Sequence, residues 1–252
     1  MRFESADTPD IFHGQVWRGE DNKGICYRKV MVCFLVGILI WLAVINVNLA
    51  ADTADQKESE SKKMIRLFGT EEFRSSLRAL PQWTRVMAVA GQQVSLFFKC
   101  SGSTCSPAAL SWQRIIRQAR GVQPMDQIKS VNRFFNQWPY RLDIELFGVA
   151  DYWATPAEFM KMSGDCEDYS IAKYYALKDL GFDIQYLRIV VIKDSIRNIG
   201  HAVLAVYMDD TAYILDNLSD LVLEHSKYKH YIPQYSVNEK NRWAHVKLIG
   251  DK

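Results

Sequence analysis

Cys166 lies in the stretch 164-GDCEDYSIAKYYALKDLGF-182, with Asp165 before it and Glu167 and Asp168 after it. The stretch reads as the start of a helix, where the N-terminal dipole lowers a thiol's pKa from about 8.5. The three flanking carboxylates repel a thiolate and act the other way. Downstream, 200-GHAVLAVYM-208 and 211-TAYILDNLS-219 are β-rich runs separated by Asp209-Asp210, and they read as an antiparallel hairpin. With those two residues as the loop, Met208 opposes Thr211, His201 faces Leu218 and Asp216 faces Val203. His201 and Asp216 are then diagonal neighbours on one face, with Cα atoms roughly 7–8 Å apart. A slip of one residue would put them on opposite faces. A thiol at a helix start, with a histidine oriented by an aspartate, has the parts of a nucleophilic site. The thiolate attacks, His takes the thiol proton and returns one to the leaving amine, and Asp fixes the imidazole tautomer. Backbone N–H groups at the helix start are suited to stabilising an oxyanion.

Each residue alone has a plainer reading. A lone Cys on the core face of a helix is a small hydrophobe, a lone His in a sheet is a hydrogen-bonded residue, and a lone Asp at a strand end caps a turn. The order Cys, His, Asp on a helix and two paired strands is the specific signal. His13 falls in an N-terminal segment outside the fold, and His225 and His230 lie in a polar, Lys-rich stretch. His245 sits in 243-WAHVKLI-249, a terminal strand with no evident acidic partner.

The elements that must position these groups follow from periodicity. Helices are expected around Glu71–Leu80 and Gln82–Ala90, then over Pro107–Ala119 and Pro124–Asn136, where Ile128, Val131, Phe134 and Phe135 share a face. Thr155-Pro156-Ala157-Glu158 is a capping box with Pro at the first helical position, opening a short helix that ends near Ser163-Gly164. The Cys166 helix follows, with Asp165 as N-cap and Gly181 as its stop. Cys166, Tyr169, Ala172 or Lys173, Ala176, Leu177 and Leu180 recur at helical spacing on one face. Ile184–Ile192 is apolar on both faces and reads as a buried central strand. The fold class is α+β, a helical N-terminal half with an antiparallel sheet packed against the Cys166 helix.

The chain has 252 residues, 48% of them hydrophobic and 24% charged, enough for one sizeable core. Its net charge of +2 comes from scattered residues, and no basic stripe with interleaved aromatics argues for nucleic acid. Arg28-Lys29, the apolar run Val30–Ile45 and the small residues Ala50-Ala51 read as a secretory signal peptide. The run is shorter than the ~20 residues of a comfortable span, and an uncleaved signal anchor stays open. The thirty residues before it carry little pattern, leaving Met31 or a nearby codon as an alternative start. The expected organisation is 1–50 as N-terminal extension and signal segment, 51–63 as a flexible linker, and 64–252 as the folded domain. Membrane contact is expected only through the signal segment, and export in a bacterium means the periplasm. With Cys26 and Cys33 in the discarded segment, Cys100 and Cys105 bracket 100-CSGSTC-105 as either a disulfide or two buried thiols, and Cys166 is left over.

GDCEDY at a helix start, then GHAV, then a strand ending ILDN, resembles the bacterial transglutaminase-like cysteine proteinases, and 151-DYWATPAEF-159 fits the same family. The resemblance covers roughly residues 65–250. It implies a papain/transglutaminase-like fold with Cys166 as nucleophile, His201 as general base and acid, and Asp216 as its orienter. It also implies a substrate, a di-alanine bond in the N-terminal region of a large repeat adhesin on the cell surface, and hence a role in biofilm dispersal. It implies Ca²⁺ dependence, and sequestration by an inner-membrane receptor that senses cyclic di-GMP. The acids flanking the cysteine, Asp165 and Glu167, are assigned to calcium by the resemblance. Asp168 joins them because carboxylates are hard ligands that suit Ca²⁺. Acids in a first helical turn also serve simply to complement the dipole. Further ligands, from loops such as 139-PYRLD-143, are not assignable from pattern. The same triad would serve acyl transfer to an amine, and a non-catalytic binding module is the third reading.

Overall fold

The period-two patterns of the C-terminal half become one antiparallel sheet. The computed structural model describes residues 65–247. The signal segment expected over 1–50 and the linker over 51–63 lie outside the described residues, and so do Cys26, Cys33 and His13. Among the described residues, no helix is long and apolar enough to cross a membrane. The strands are β1 (Glu71–Ser75), β2 (Leu187–Asp194), β3 (Ile199–Met208), β4 (Thr211–Asp216), β5 (Ser219–Glu224), β6 (Tyr231–Val237) and β7 (Arg242–Val246). They pair in the order β1-β7-β6-β2-β3-β4-β5.

Central position explains the double-sided apolar run in β2. Leu187 and Ile189 join the core beneath the helices, while Val190 and Ile192 pack with Leu67, Val203 and Ile214 on the opposite face. The β3–β4 hairpin has the expected register, with Met208 opposite Thr211 and Leu204 opposite Leu215. Asp209 and Asp210 both take positive φ, 52° and 58°, as a tight two-residue hairpin of type I′ requires.

The helical layer consists of α1 (Pro81–Gln92), α2 (Pro107–Ala119), α3 (Pro124–Phe135), the single turn α4 (Asp143–Leu146), α5 (Pro156–Met162) and α6 (Cys166–Asp179). Cys100 and Cys105 are joined in a disulfide in the loop before α2. The expected capping box closes on α5: Thr155 Oγ1 accepts from the Glu158 N–H, and Glu158 Oε2 accepts from the Thr155 N–H at 2.7 Å. Trp83, Trp112, Phe135 and Phe159 are fully buried round α6, each worth roughly 1.5–3 kcal/mol of burial. They fix the axis of α6 against β2 and β3.

Three expectations need correction. Glu71–Leu80 is not a helix: Glu71–Ser75 forms the edge strand β1, paired from Glu71 opposite Val246 to Ser75 opposite Arg242, and a 3₁₀ turn follows at Leu77–Ala79. Pairing with a strand at the far end of the chain overrides the local preference of a Glu-rich segment. The Cys166 helix is not buried on one face alone; every residue from Asp168 to Leu177 is buried, because α6 runs between the sheet and α2, α3 and α5. The run 211–219 is not one strand, since β4 stops at Asp216 and the chain turns through Asn217-Leu218 into β5. The Leu218 N–H donates to Asp216 Oδ1 at 3.0 Å, so Asp216 caps that turn as well as facing His201.

Candidate active site

The site lies where the start of α6 meets β3 and β4. Gly164 makes the approach possible. A Cβ there would sit 2.1 Å from Asp168 Oδ2, inside any real contact distance. The carboxylate of Asp168 folds back over Gly164 and accepts from the Asp165 N–H at 3.2 Å and from the Ala154 N–H at 2.6 Å. Asp168 thereby ties the first turn of α6 to the segment before α5. Cys166 follows Asp165 as the first helical residue.

The His201 side chain is buried and its Nε2 lies 2.9 Å from Asp216 Oδ1. Asp216 Oδ2 accepts from the Tyr231 hydroxyl at 2.6 Å, so both carboxylate oxygens are held. Burial pushes the Asp216 carboxyl up, but the hydrogen bond and charge of His201, with the Tyr231 and Leu218 donors, outweigh it and leave it below its ordinary value. With Nε2 committed to Asp216, Nδ1 is the ring nitrogen left for proton transfer. The Ala202 N–H, next in the chain to His201, lies against the Cys166 sulfur. The structure therefore brings His201 and Asp216 together by the hairpin register that the turn implies, and sets the backbone next to His201 beside Cys166.

Cys166 is the free cysteine among the described residues and keeps part of its surface exposed, while the sulfur itself is desolvated. Burial pushes its pKa well up, Glu167 and Asp165 add to the rise, and the Ala202 N–H opposes it. Its Sγ–H donates to Glu167 Oε2 at 3.1 Å. The conflict between helix start and flanking acids is thus real, and in this arrangement burial first, with the acids adding to it, outweighs the opposing N–H.

Those acids form part of a larger cluster. Asp143, Asp165 and Asp168 present carboxylate oxygens within 4.8 Å of one another, as do Asp143, Asp151 and Glu167. Asp165 is pushed up to about 9, by burial first and then by its hydrogen bond to Glu167 and the charges of Glu167, Asp143 and Asp151. Glu167, Asp168 and Asp143 are raised too, each chiefly by burial. None of the ion pairs among the described residues involves these five acids. Asp143 Oδ1 and Asp165 Oδ1 are buried without a hydrogen-bond partner. Hard oxygen donors, two of them orphaned, with no ion pair to a basic side chain among the described residues, fit a calcium ion. Asp143 and Asp151 escaped the sequence reading, although 139-PYRLD-143 and 151-DYWATPAEF-159 had both drawn notice. Asp143 is delivered by a parallel bridge between Tyr140 and Gly164, in which the Arg141 N–H donates to Gly164 O at 2.9 Å. Asp151 is also engaged by Gln82 and by the Trp153 indole N–H. Tyr140 stands beside Cys166 and this cluster, which together with burial raise its hydroxyl pKa. His245 takes no part: its ring bridges Thr70 Oγ1 at 2.9 Å and Ser236 Oγ at 2.8 Å, far along the sheet on β7.

The family model described as bacterial transglutaminase-like cysteine proteinase matches residues 95–250. The structure is similar to calcium-bound LapG of Legionella pneumophila at 29% identity, covering 67% of this chain and 90% of that one with a TM-score of 0.51. Two further forms of the same Legionella protein match at 29% identity and a TM-score of 0.49, covering 64% of this chain. One, LapG without further qualification, is covered over 86% of its length, and the other, EGTA-treated, over 84%. No curated protein sequence matches the chain.

Proposed function

The chain belongs to the bacterial transglutaminase-like cysteine proteinases, and from that membership we propose that it is a calcium-dependent cysteine endopeptidase with Cys166 as nucleophile. The observation that carries this reading is the buried His201–Asp216 pair at 2.9 Å, on the strand whose Ala202 N–H meets the Cys166 sulfur. His201 Nδ1 takes the thiol proton as Sγ attacks the scissile carbonyl. The tetrahedral oxyanion is stabilised by backbone N–H groups at the start of α6. On collapse of the intermediate, the C–N bond breaks and the imidazolium gives its proton to the leaving amine, leaving a thioester on Cys166. Water, deprotonated by the same imidazole, hydrolyses the thioester. Asp216 holds the ring in the orientation both steps need.

Asp165, Glu167 and Asp168 are the residues assigned to Ca²⁺, with Asp143 and Asp151 bringing further oxygens to the same cluster. A bound dication supplies positive charge that cancels the repulsion of these acids on the thiolate. The substrate proposed is a large repeat adhesin cleaved at a di-alanine bond in its N-terminal region, releasing it and promoting biofilm dispersal. The regulator proposed is an inner-membrane receptor that senses cyclic di-GMP. Both are supported by the family motifs GDCEDY, GHAV and ILDN. A periplasmic location is supported by the signal pattern before Ala51 and by the Cys100–Cys105 disulfide, which suits an oxidising compartment.

The test incubates the protein with an adhesin fragment bearing the di-alanine bond. Wild type should cleave it, Cys166→Ala should not, and EGTA should abolish the wild-type reaction. Undiminished cleavage by Cys166→Ala sinks the proposal, and incorporation of a labelled amine without chain cleavage turns it into an acyl transferase.

A further inference from the structure

Tyr140 keeps 51% of its surface open to solvent and takes no part in the proton transfers of Cys166 and His201. A single exposed aromatic is ordinary, but this one is fixed to the nucleophile helix from two sides. Its backbone forms the parallel bridge to Gly164, two residues before Cys166, where the Arg141 N–H donates to Gly164 O at 2.9 Å. Its ring lies over that of Tyr169, three residues after Cys166, with centroids 6.4 Å apart and planes 15° from parallel.

Tyr169 is a firm support. It is buried, its hydroxyl donates to Trp138 O, and its ring packs edge-on against Phe159 with centroids 4.8 Å apart. Residues three apart on a helix share a face, so the ring that covers Tyr169 lies on the side of α6 from which Cys166 projects. The charge of a Cys166 thiolate acts on the Tyr140 hydroxyl, second only to burial in raising its pKa, which agrees with that placement. On β3, where the Ala202 N–H meets the sulfur, His201 stands between Gly200 and Ala202. The strand therefore brings small neighbours to the thiol, and Tyr140 brings a broad ring with one face supported and the rest open.

We propose that Tyr140 is a specificity-determining residue of the endopeptidase: the open side of its ring walls the cleft beside Cys166 and admits only small side chains next to the scissile bond. This inference rests on the reading of Cys166 as the nucleophile of a peptidase, and deepens it. A ring held by a backbone bridge and a buried aromatic platform cannot swing aside for a larger side chain without losing both contacts. It therefore selects by exclusion, and shortening it should widen the choice of substrate. A tyrosine kept only to anchor its loop would ask nothing of the substrate, and its loss would affect every substrate alike.

The experiment compares wild type, Tyr140→Ala and Tyr140→Phe, as full chains with Ca²⁺, on adhesin fragments carrying Ala-Ala, Ala-Leu or Leu-Ala at the scissile bond. Wild type should favour Ala-Ala. Tyr140→Ala should raise kcat/KM for one of the leucine fragments, relative to Ala-Ala, by about tenfold or more, and its loss on Ala-Ala itself should fall on KM more than on kcat. Tyr140→Phe, which keeps the ring, should keep the wild-type selectivity. Iodoacetamide should label Cys166 at the same rate in all three proteins. If Tyr140→Ala does not fold, Tyr140→Val carries the same comparison. Equal losses on all three fragments, or a wild type that cleaves the leucine fragments as well as Ala-Ala, overturn the inference while leaving the peptidase standing. Undiminished cleavage by Cys166→Ala, or a wild type that cleaves no fragment, overturns the peptidase reading and the inference with it.

Discussion

Calcium added to the ion-free protein at neutral pH should expel a proton. Asp143, Asp165 and Asp168 offer oxygens within 4.8 Å of one another, and two unit charges at that separation repel by about 3.5 kcal/mol at an effective dielectric of about 20. Three such pairs sum to about 10 kcal/mol, comparable with the roughly 5–15 kcal/mol that stabilise a whole domain. The trio therefore does not stay fully ionised without a cation, and Asp165 keeps its proton up to about pH 9. A dication needs the ionised carboxylate, so binding at pH 7 should release close to one proton per ion. Apparent affinity should rise about tenfold per pH unit from 6 to 8 and flatten towards 9. The assay is calorimetric titration of Ca²⁺ into EGTA-treated, dialysed Cys166→Ala protein, in buffers of different ionisation enthalpy at pH 6, 7 and 8. Binding with the same affinity at all three pH values, and no buffer dependence of the enthalpy, would refute the shared-proton argument. No binding at all would remove the ion from this cluster.

Other perturbations test the parts separately. Glu167→Gln removes both a charge and the acceptor 3.1 Å from Sγ, so without calcium Cys166 should react with iodoacetamide about tenfold faster than wild type, and saturating calcium should narrow the gap. Gly164→Ala drives a Cβ into Asp168 Oδ2, and urea unfolding should show a loss of about 1–3 kcal/mol. His245, lowered to about 4 chiefly by burial, favours the fold while neutral; its contribution is complete above about pH 6.5 and fades as pH falls towards 4. The stability difference between wild type and His245→Gln should accordingly shrink by about 3 kcal/mol between pH 6.5 and 4, and a difference independent of pH would contradict a neutral buried imidazole.

What was legible in the sequence depended on the distance over which each element is specified. The β3–β4 hairpin could be read because its register follows from two acidic turn residues and a period of two, and His201 and Asp216 came with it. The capping box of α5 is equally local. Strand β1 was misread because EEFRS is short and charged, and becomes a strand only by pairing with β7, some 170 positions away. The burial of α6 on all sides was hidden by Lys173, Tyr174 and Tyr175, which count as polar or amphipathic in any periodicity argument and yet lie inside. Asp143 stands more than twenty residues before Cys166, and the bridge that brings it back joins two loops. A single ligand of this kind leaves no spacing to recognise, unlike an EF-hand loop.

The placement of charge round α6 gives these pieces a common logic. At its first turn, Asp165, Glu167 and Asp168 crowd the thiol with negative charge that nothing else among the described ion pairs offsets. Two turns along, Lys173 lies fully buried on the same helix. The helix dipole favours the anionic cluster at the N-terminus only modestly, by roughly 0.3–2 kcal/mol, well short of the repulsion within it. On the proposed mechanism, ionisation of Cys166 would depend on positive charge arriving from outside the helix, from an imidazolium on one side and a cation among the acids on the other. On that proposal, a carboxylate engaged by the cation would release the hydrogen bond that the thiol now makes to Glu167.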